Sequence, residues 1–537
     1  MKYDAIAIGA GTNGLVAATL LAKAGRQVLL VEQSDAIGGT ARLLEFAPGF
    51  RAAPLGMDPG WLPPSVARAV GLKGVAARHA AAPLTLAVQP REFLTLWSDV
   101  GLAAEAIGRH SPKDAEAWPA FASKMDTLAG FLERVYRRPP LDLDSRSPRE
   151  LLSAAGLALA FRGLGRAYMT ALLRTLPMPV QDLLDDWFEC EPLKAALAPA
   201  GVQHLRQGPR SAGTAFVLLH HLVGAPPGAM RRSGRWSNEP GGVVAALEQA
   251  ARQSGVAIRT AAKVRRIQVN DDAVTGVVLE SGEEIAAPVV LSSADPARTL
   301  LGMVDPVWLN PEFLRAVGNI KFRGCTAVVA YALDRLIDLP GLNNAAEVLA
   351  GTVTLTRTRE ALERAYDDAK YGRVSERPHV EITVPTLATP SDAPDGKHVL
   401  LARMQYAPYH LRDGTEWDTG QREALADSVT KAVAEISPAF ADRVRHRAVF
   451  APTDFEHQFG LTEGAAYQGE LMLDQILFMR PLPGWSRYRM PVDGLYLCGS
   501  GTHPGGGVTG APGHNAAREI LRDFKRRRLR RARWENP

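Results

Sequence analysis

The sequence predicts an α/β protein: a parallel sheet wrapped by helices, a mixed second sheet, and a helical insertion between them. Three observations predict it. An apolar strand, a glycine turn and a helix open the chain before residue 25. Helix and strand patterns alternate again between residues 242 and 295. A final strand near residue 496 ends in a glycine-rich loop that leads into a terminal helix. At 537 residues the chain is too long for one core, so several are expected.

The opening element carries the most information. Ala5-Ile6-Ala7-Ile8 reads as a short buried strand, and Gly9, Gly11 and Gly14 follow with G-x-G-x-x-G spacing. Gly9 permits a tight turn, Gly11 lets backbone approach a pyrophosphate, and Gly14 lets helix and strand pack closely. Thr12 and Asn13 stand at the helix N-terminus, whose free N–H groups and dipole favour phosphate. Residues 15 to 24 are Ala- and Leu-rich, and Gly25 ends the helix. Val28-Leu29-Leu30-Val31 is a second strand; Glu32 and Gln33 close the unit. A carboxylate at Glu32 accepts hydrogen bonds from both ribose hydroxyls and disfavours a 2′-phosphate. The reading is a dinucleotide site; the alternative is a glycine turn that binds nothing.

Gly38 and Gly39 follow Glu32 at a short interval. A Glu, a short spacer and a Gly-Gly pair resemble FAD proteins of the glutathione-reductase fold group. That resemblance implies a Rossmann-type domain binding FAD, with the Gly-Gly turn near the pyrophosphate. The amine-oxidase branch often has Arg straight after the pair; here Thr40 stands there and Arg42 is two further on, as the expected phosphate contact.

Composition narrows the class. The chain is 46% hydrophobic and 22% charged, which is globular. Cys190, Cys325 and Cys498 lie far apart, and no C-x-x-C exists, so no sequence-local redox disulfide or zinc ribbon is expected. The first strand starts near residue 3, which leaves no room for a cleavable signal peptide, and the expected setting is cytoplasmic. No window of about 18 uncharged apolar residues suggests a spanning helix. Residues 525 to 537 hold seven Lys or Arg and one Glu, a net of +6 within a total of +5, so the remainder carries −1. A neutral body gives no nucleic-acid groove. The tail has two readings: a solvated end, or a peripheral contact with an anionic membrane on its inner face.

The expected organisation is a first FAD-binding part at 1–80, substrate-side strands and helices at 81–235, a second FAD-binding part at 236–305, a substrate domain at 306–485, a third FAD-binding part at 486–524, and the basic tail. Residues 84–88 and 93–97 read as paired strands of the substrate sheet. Trp118, Phe121, Met125, Leu128, Phe131 and Leu132 recur at helical spacing. Residues 151–173 are apolar with arginines interspersed; an amphipathic helix covering the core is favoured over one lying in a membrane interface. Asp182 to Phe188 reads as the start of a further helix. His220 and His221 are adjacent, so they point to different helix faces and make poor joint metal ligands. No metal site is expected.

The last informative stretch is Cys498-Gly499-Ser500-Gly501-Thr502-His503-Pro504-Gly505-Gly506-Gly507-Val508-Thr509-Gly510. With the Asp182 to Phe188 stretch and Met472-Leu473-Asp474-Gln475, it resembles the phytoene-desaturase-related branch of FAD-dependent oxidoreductases. Within that branch the likeness is to the pyridine nucleotide-disulphide oxidoreductase domain-containing protein 2 group. The resemblance implies that Gly499 and Ser500 reach the ribityl-phosphate, and that Val508 and Thr509 lie where the next helix meets the flavin. It also implies that the strand near Val264 contacts adenine through its backbone. Many relatives have Gly-Asp where Gly499-Ser500 stands.

The expected activity is hydride transfer to flavin from an apolar, isoprenoid-like substrate, by dehydrogenation or isomerisation, in a desaturase-like enzyme. The electron acceptor would be oxygen, a quinone or a protein carrier. His503 is the titratable side chain of the loop and the candidate catalytic acid or base; the other reading is a brace for the loop. A flavin amine oxidase is disfavoured because residues 499–510 contain no aromatic residue. The third alternative is an FAD-stabilised scaffold acting through a partner.

Overall fold

The computed structural model describes residues 3–56, 60–72, 82–142, 147–231, 242–507 and 509–535; the side chains of Arg149 and of residues 527–535 are not described. Among the described residues, four sheets and a helical layer make up the fold.

The five-stranded sheet is parallel throughout. Its order is Leu495–Leu497, Val290–Ser292, Ala5–Ile8, Val28–Val31 and Ala257–Arg259. The first strand is buried on both faces, as a central parallel strand must be. Ala5 and Ala7 face one core, shared with the helix Thr12–Lys23. Ile6 and Ile8 face another, under the antiparallel strands Val264–Asn270, Ala273–Leu279 and Glu284–Ala286. The helix Gly242–Gln253 and the last helix, Ala511–Glu535, pack beside Thr12–Lys23.

The seven-stranded sheet is mixed. Its order is Val444–Phe450, Thr326–Leu333, His398–Gln405, His379–Thr383, Thr352–Thr354, Leu84–Gln89 and Glu92–Leu96. The paired strands expected at 84–97 therefore form its edge. Leu84, Leu86, Leu94 and Leu96 pack into the helical layer, whose spine is Pro112–Tyr136 with Trp118, Phe121, Met125 and Leu128 buried.

Pro64 opens a helix to Val70, where its missing N–H costs nothing. Two local readings change. The 151–173 stretch is two helices, Pro148–Arg162 and Gly165–Thr175. The first does not cover the core: Leu151, Leu152 and Leu159 are 58%, 74% and 70% exposed. Its apolar residues surround the axis, so one packed face leaves others in the open. The helix at 182 is short, Val180–Asp185, and Trp187 and Phe188 turn back against Phe121. No helix among the described residues is long and apolar enough to cross a membrane.

Candidate functional site: a dinucleotide cavity and its closing loop

A cavity of about 380 Å³ opens at the carboxyl ends of the parallel strands, where ligands bind in such sheets. Gly9, Gly11, Thr12, Asn13, Glu32, Gln33, Gly38, Gly39, Thr40, Arg42, Val264 and Ser500 line it. These are twelve of the sequence-derived residues, drawn from five separate stretches.

The cradle is backbone. A Cβ on Gly14 would stand 2.0 Å from the Gly9 carbonyl oxygen, so the helix enters against the turn itself. The 38–39 backbone crosses directly over Gly11: a Cβ on Gly39 would lie 3.1 Å from the Gly11 Cα. Gly11 gives the helix no side-chain cap, which leaves the first-turn N–H groups for a ligand. Glu32 is 8% exposed, and its carboxylate accepts from the backbone N–H of Ala10 at 2.7 Å and of Ser34 at 3.0 Å. Two donors fix its orientation and leave further lone pairs for ribose hydroxyls.

Residues distant in sequence complete the cavity. Ser293, Ala294, Arg298 and Gln468 line it, and none was singled out from the sequence. A signal existed: Asp295-Pro296 is an N-cap followed by proline, directly after a strand. Asp295 accepts from the Arg298 N–H at 2.8 Å and from Thr462 Oγ1 at 2.8 Å, and burial raises its pKa despite these donors. The Nε atoms of Arg42 and Arg298 are buried without a hydrogen-bond partner. Two unpaired guanidinium donors and a bare helix N-terminus fit a diphosphate. Arg42 reaches Asp35 only at 3.9 Å, so it is not tied down by that carboxylate.

Asn13 joins the two ends of the chain. Its Oδ1 accepts from the Gly510 N–H at 2.9 Å, and its Nδ2 reaches Ser500 Oγ at 3.4 Å. Ser500 and Gly510 are thereby held beside the first glycine turn. Gly499 packs on the end of Val290–Ser292, where a Cβ would meet the Ser293 carbonyl oxygen at 2.3 Å. Thr509 N–H donates to the Trp61 carbonyl, and Trp61 N–H to the Gly507 carbonyl, both at 2.8 Å. Gly14, Gly499 and Thr509 thus shape the site without lining the cavity; Val508 lies outside the described residues.

Behind this loop stands a buried ring cluster. His220 Nε2 donates to the Gly506 carbonyl at 2.8 Å, so its Nδ1 accepts from Tyr136 Oη at 2.8 Å. Tyr467 packs against the loop: a Cβ at Gly506 would be 2.1 Å from its ring. Its hydroxyl meets His221 Nε2 at 3.2 Å, and its ring meets that of His204 at 5.2 Å. The two adjacent histidines each meet their own tyrosine, and their rings sit edge to face with centroids 5.5 Å apart. His503 is 1% exposed, with Nε2 at 3.4 Å from the Val135 carbonyl and Nδ1 unpartnered. Burial lowers its pKa to about 4, so the ring is neutral at neutral pH.

Such a cavity, with its ribose carboxylate and returning C-terminal loop, defines an FAD-binding oxidoreductase. Residues 14–521 match the family described as flavin containing amine oxidoreductase, and the chain belongs to that family. It is 36% identical over 551 residues to the pyridine nucleotide-disulfide oxidoreductase domain-containing protein 2 of Rattus norvegicus, covering 98% of this chain and 94% of the relative. It is 25% identical to the carotenoid 3,4-desaturase of Haloarcula japonica, covering 97% and 98%. The fold is similar to that of cyclohexylamine oxidase from Brevibacterium oxydans IH-35A, with a TM-score of 0.54 at 15% identity, covering 98% of this chain and 100% of that one. The chain is an FAD-dependent oxidoreductase of the glutathione-reductase-type α/β fold.

Proposed function

We propose that this enzyme dehydrogenates or isomerises a substrate with a long apolar carbon skeleton. One observation supports the reading: a single apolar cluster runs from Leu84, Leu86, Trp118 and Phe121 to Trp61 and Tyr467, the two residues that hold the closing loop. Such a layer offers a chain of methylenes or isoprene units water-poor, apolar surroundings beside the loop. Bound FAD supplies hydride-accepting chemistry. Glu32, the helix N-terminus, Arg42 and Arg298 hold the dinucleotide, and Asn13 fixes the loop over it. His503 does not line the cavity, and its buried ring takes a proton only near pH 4, so its surroundings fit a brace for the loop better than a proton carrier.

Amine oxidation is the second reading. The loop itself lacks aromatic residues, but the fold brings Tyr467 onto Gly506, which returns one aromatic wall to that reading. The test is anaerobic bleaching of the FAD-loaded protein by geranylgeraniol in micelles and by cyclohexylamine. Faster bleaching by the isoprenoid supports the proposal. Bleaching by the amine alone supports amine oxidation, and no bleaching by either favours the scaffold reading. NADPH is expected to reduce the flavin poorly, because one strand–glycine turn–helix unit serves FAD and no second one occurs among the described residues. Oxygen, a quinone or a protein carrier is the acceptor that fits this proposal.

The same reading includes peripheral contact with an anionic membrane. Pro148–Arg162 presents exposed Leu151, Leu152 and Leu159, Leu173 is exposed on the next helix, and Arg162 and Arg166 are exposed beside them. The basic tail continues the last helix to Glu535. Each basic residue near such a surface contributes about 1 kcal/mol. Co-sedimentation with anionic and neutral vesicles tests this for the full chain, for one ending at Asp523, and for Leu151→Glu/Leu152→Glu. Salt-sensitive, anionic-only binding weakened by either change supports it; absence of binding by the full chain overturns it.

A further inference from the structure

Directly behind the cavity wall lies a guanidinium with no carboxylate beside it. Arg480 is 1% exposed, and its donors are spent on backbone carbonyls. Its Nε donates to the Ser500 carbonyl at 3.0 Å, and its Nη2 to the same oxygen at 2.8 Å. Nη1 donates to the carbonyls of Glu470 and Gln475, each at 3.0 Å, and Nη2 also to that of Tyr467. A Cβ on Gly505 would lie 3.6 Å from Nε, so the group sits between the two ends of the turn from Ser500 to Gly505. Two residues that it holds line the cavity: Ser500, and Gln468, whose carbonyl is 3.4 Å from Nη2. The Gln468 side chain accepts from the Gly501 N–H and donates to the Ser293 carbonyl, both at 2.9 Å.

A guanidinium fork suits a carboxylate. Here no carboxylate among the described residues offsets the charge. Glu470, whose carbonyl Arg480 uses, spends its carboxylate on Arg323, with Oε1 at 3.0 Å from Nε. Burial lowers the Arg480 pKa only to about 9, so the group stays charged at neutral pH. Its field reaches the closing loop, where it adds to burial in lowering His503. A buried cation met by dipoles alone is costly to keep, and an anion nearby offsets that cost.

Sheet order says which part of the cofactor comes near. Glu32 follows Val28–Val31, on one side of Ala5–Ile8. Val290–Ser292 and Leu495–Leu497 lie on the other side, and Ser500 follows the second of them. A dinucleotide with its ribose at Glu32 and its diphosphate at the glycine turn therefore carries its second half toward Ser500. In FAD that half is the flavin. Accepting a hydride adds one negative charge to the flavin. A fixed positive charge that need not reorganise stabilises such charge in a dry site.

We propose that Arg480 is a positioning residue of the flavin site: it holds Ser500 and Gln468 in the cavity wall and supplies the positive charge that stabilises negative charge on the flavin. The inference needs no assumption about the substrate. The experiment is spectrophotometric titration of the FAD-loaded protein with sulfite, which adds to flavin N5 and places negative charge on the ring. Arg480→Gln, whose amide can still donate to the Ser500 carbonyl, is expected to lose sulfite affinity by about tenfold or more, as when one donor aimed at developing charge is removed. Arg480→Lys keeps the charge and is expected to stay within about threefold of the unaltered protein. Unchanged affinity in Arg480→Gln overturns the proposal. An equal loss in both variants also overturns it, because the hydrogen bonds and not the charge would then matter. If either variant does not hold FAD, dithionite reduction of the unaltered holoprotein carries the test. An anionic reduced flavin in mildly acidic buffer supports the proposal; a neutral one overturns it.

Discussion

The cofactor cavity and the substrate sheet bury polar groups in opposite ways. The cavity draws much of its lining from backbone, glycines and a helix N-terminus, and adds the guanidinium groups of Arg42 and Arg298 and the Glu32 carboxylate, steadied by two N–H groups. The sheet buries full side-chain charges, Glu381 between Arg231 and Arg403. Backbone donors cost little to hold in place, because secondary structure already fixes them. Buried ions are stable only together, so the sheet depends on each of its members.

The largest expected effect tests that dependence. Glu381→Gln removes the buried carboxylate that Arg231 and Arg403 share, and should cost about 3–5 kcal/mol in denaturant unfolding. FAD content of the folded fraction should not change. A loss under about 1 kcal/mol would show that the ions are solvated.

Acid separates the regions next. His379 in the sheet and His503 in the loop both have pKa values lowered from 6.5 to about 4 by burial. Between those values the unfolded chain binds protons that the folded chain refuses, so stability falls as pH drops from 6.5 toward 4. The expected loss is roughly 3 kcal/mol per histidine at the acid end. His379→Gln and His503→Gln should each remove part of this slope, read from unfolding curves across that window. If neither variant alters it, the two rings are not the groups that titrate.

On the cofactor side Glu32→Ala should weaken FAD binding by about 1.5–3 kcal/mol, the worth of hydrogen bonds to a charged group, and should also destabilise the apoprotein by about 1–3 kcal/mol, because the buried Ala10 N–H loses its acceptor. Unchanged flavin occupancy after dialysis would remove Glu32 from the ribose. Asn13→Ala is the mildest change. It deprives the buried Gly510 N–H of its acceptor and should cost about 1–2 kcal/mol in thermal unfolding of the holoenzyme. No shift would mean that the loop holds its place without Asn13.

The same contrast explains what the sequence disclosed. Gly9 to Glu32 is one strand–turn–helix–strand unit, so spacing alone carries its geometry. Val264 was placeable by pattern because backbone makes the expected contact. Ser293 and Arg298 were not, since they reach the cavity through parallel pairing of Val290–Ser292 with Ala5–Ile8. Gln203, Arg231, Glu381 and Arg403 come from four segments, and each looks like an ordinary surface residue in its own window. Pro148–Arg162 was misread because an apolar run implies burial unless the fold is seen to leave it exposed.

The central claim is that the cavity between Gly9 and Ser500 holds FAD noncovalently. The direct measurement is heat or acid denaturation of the purified yellow protein, followed by chromatography of the supernatant. The account predicts release of FAD in near-stoichiometric amount. Release of FMN or NAD, or a protein that carries no dinucleotide after reconstitution with FAD, would contradict it.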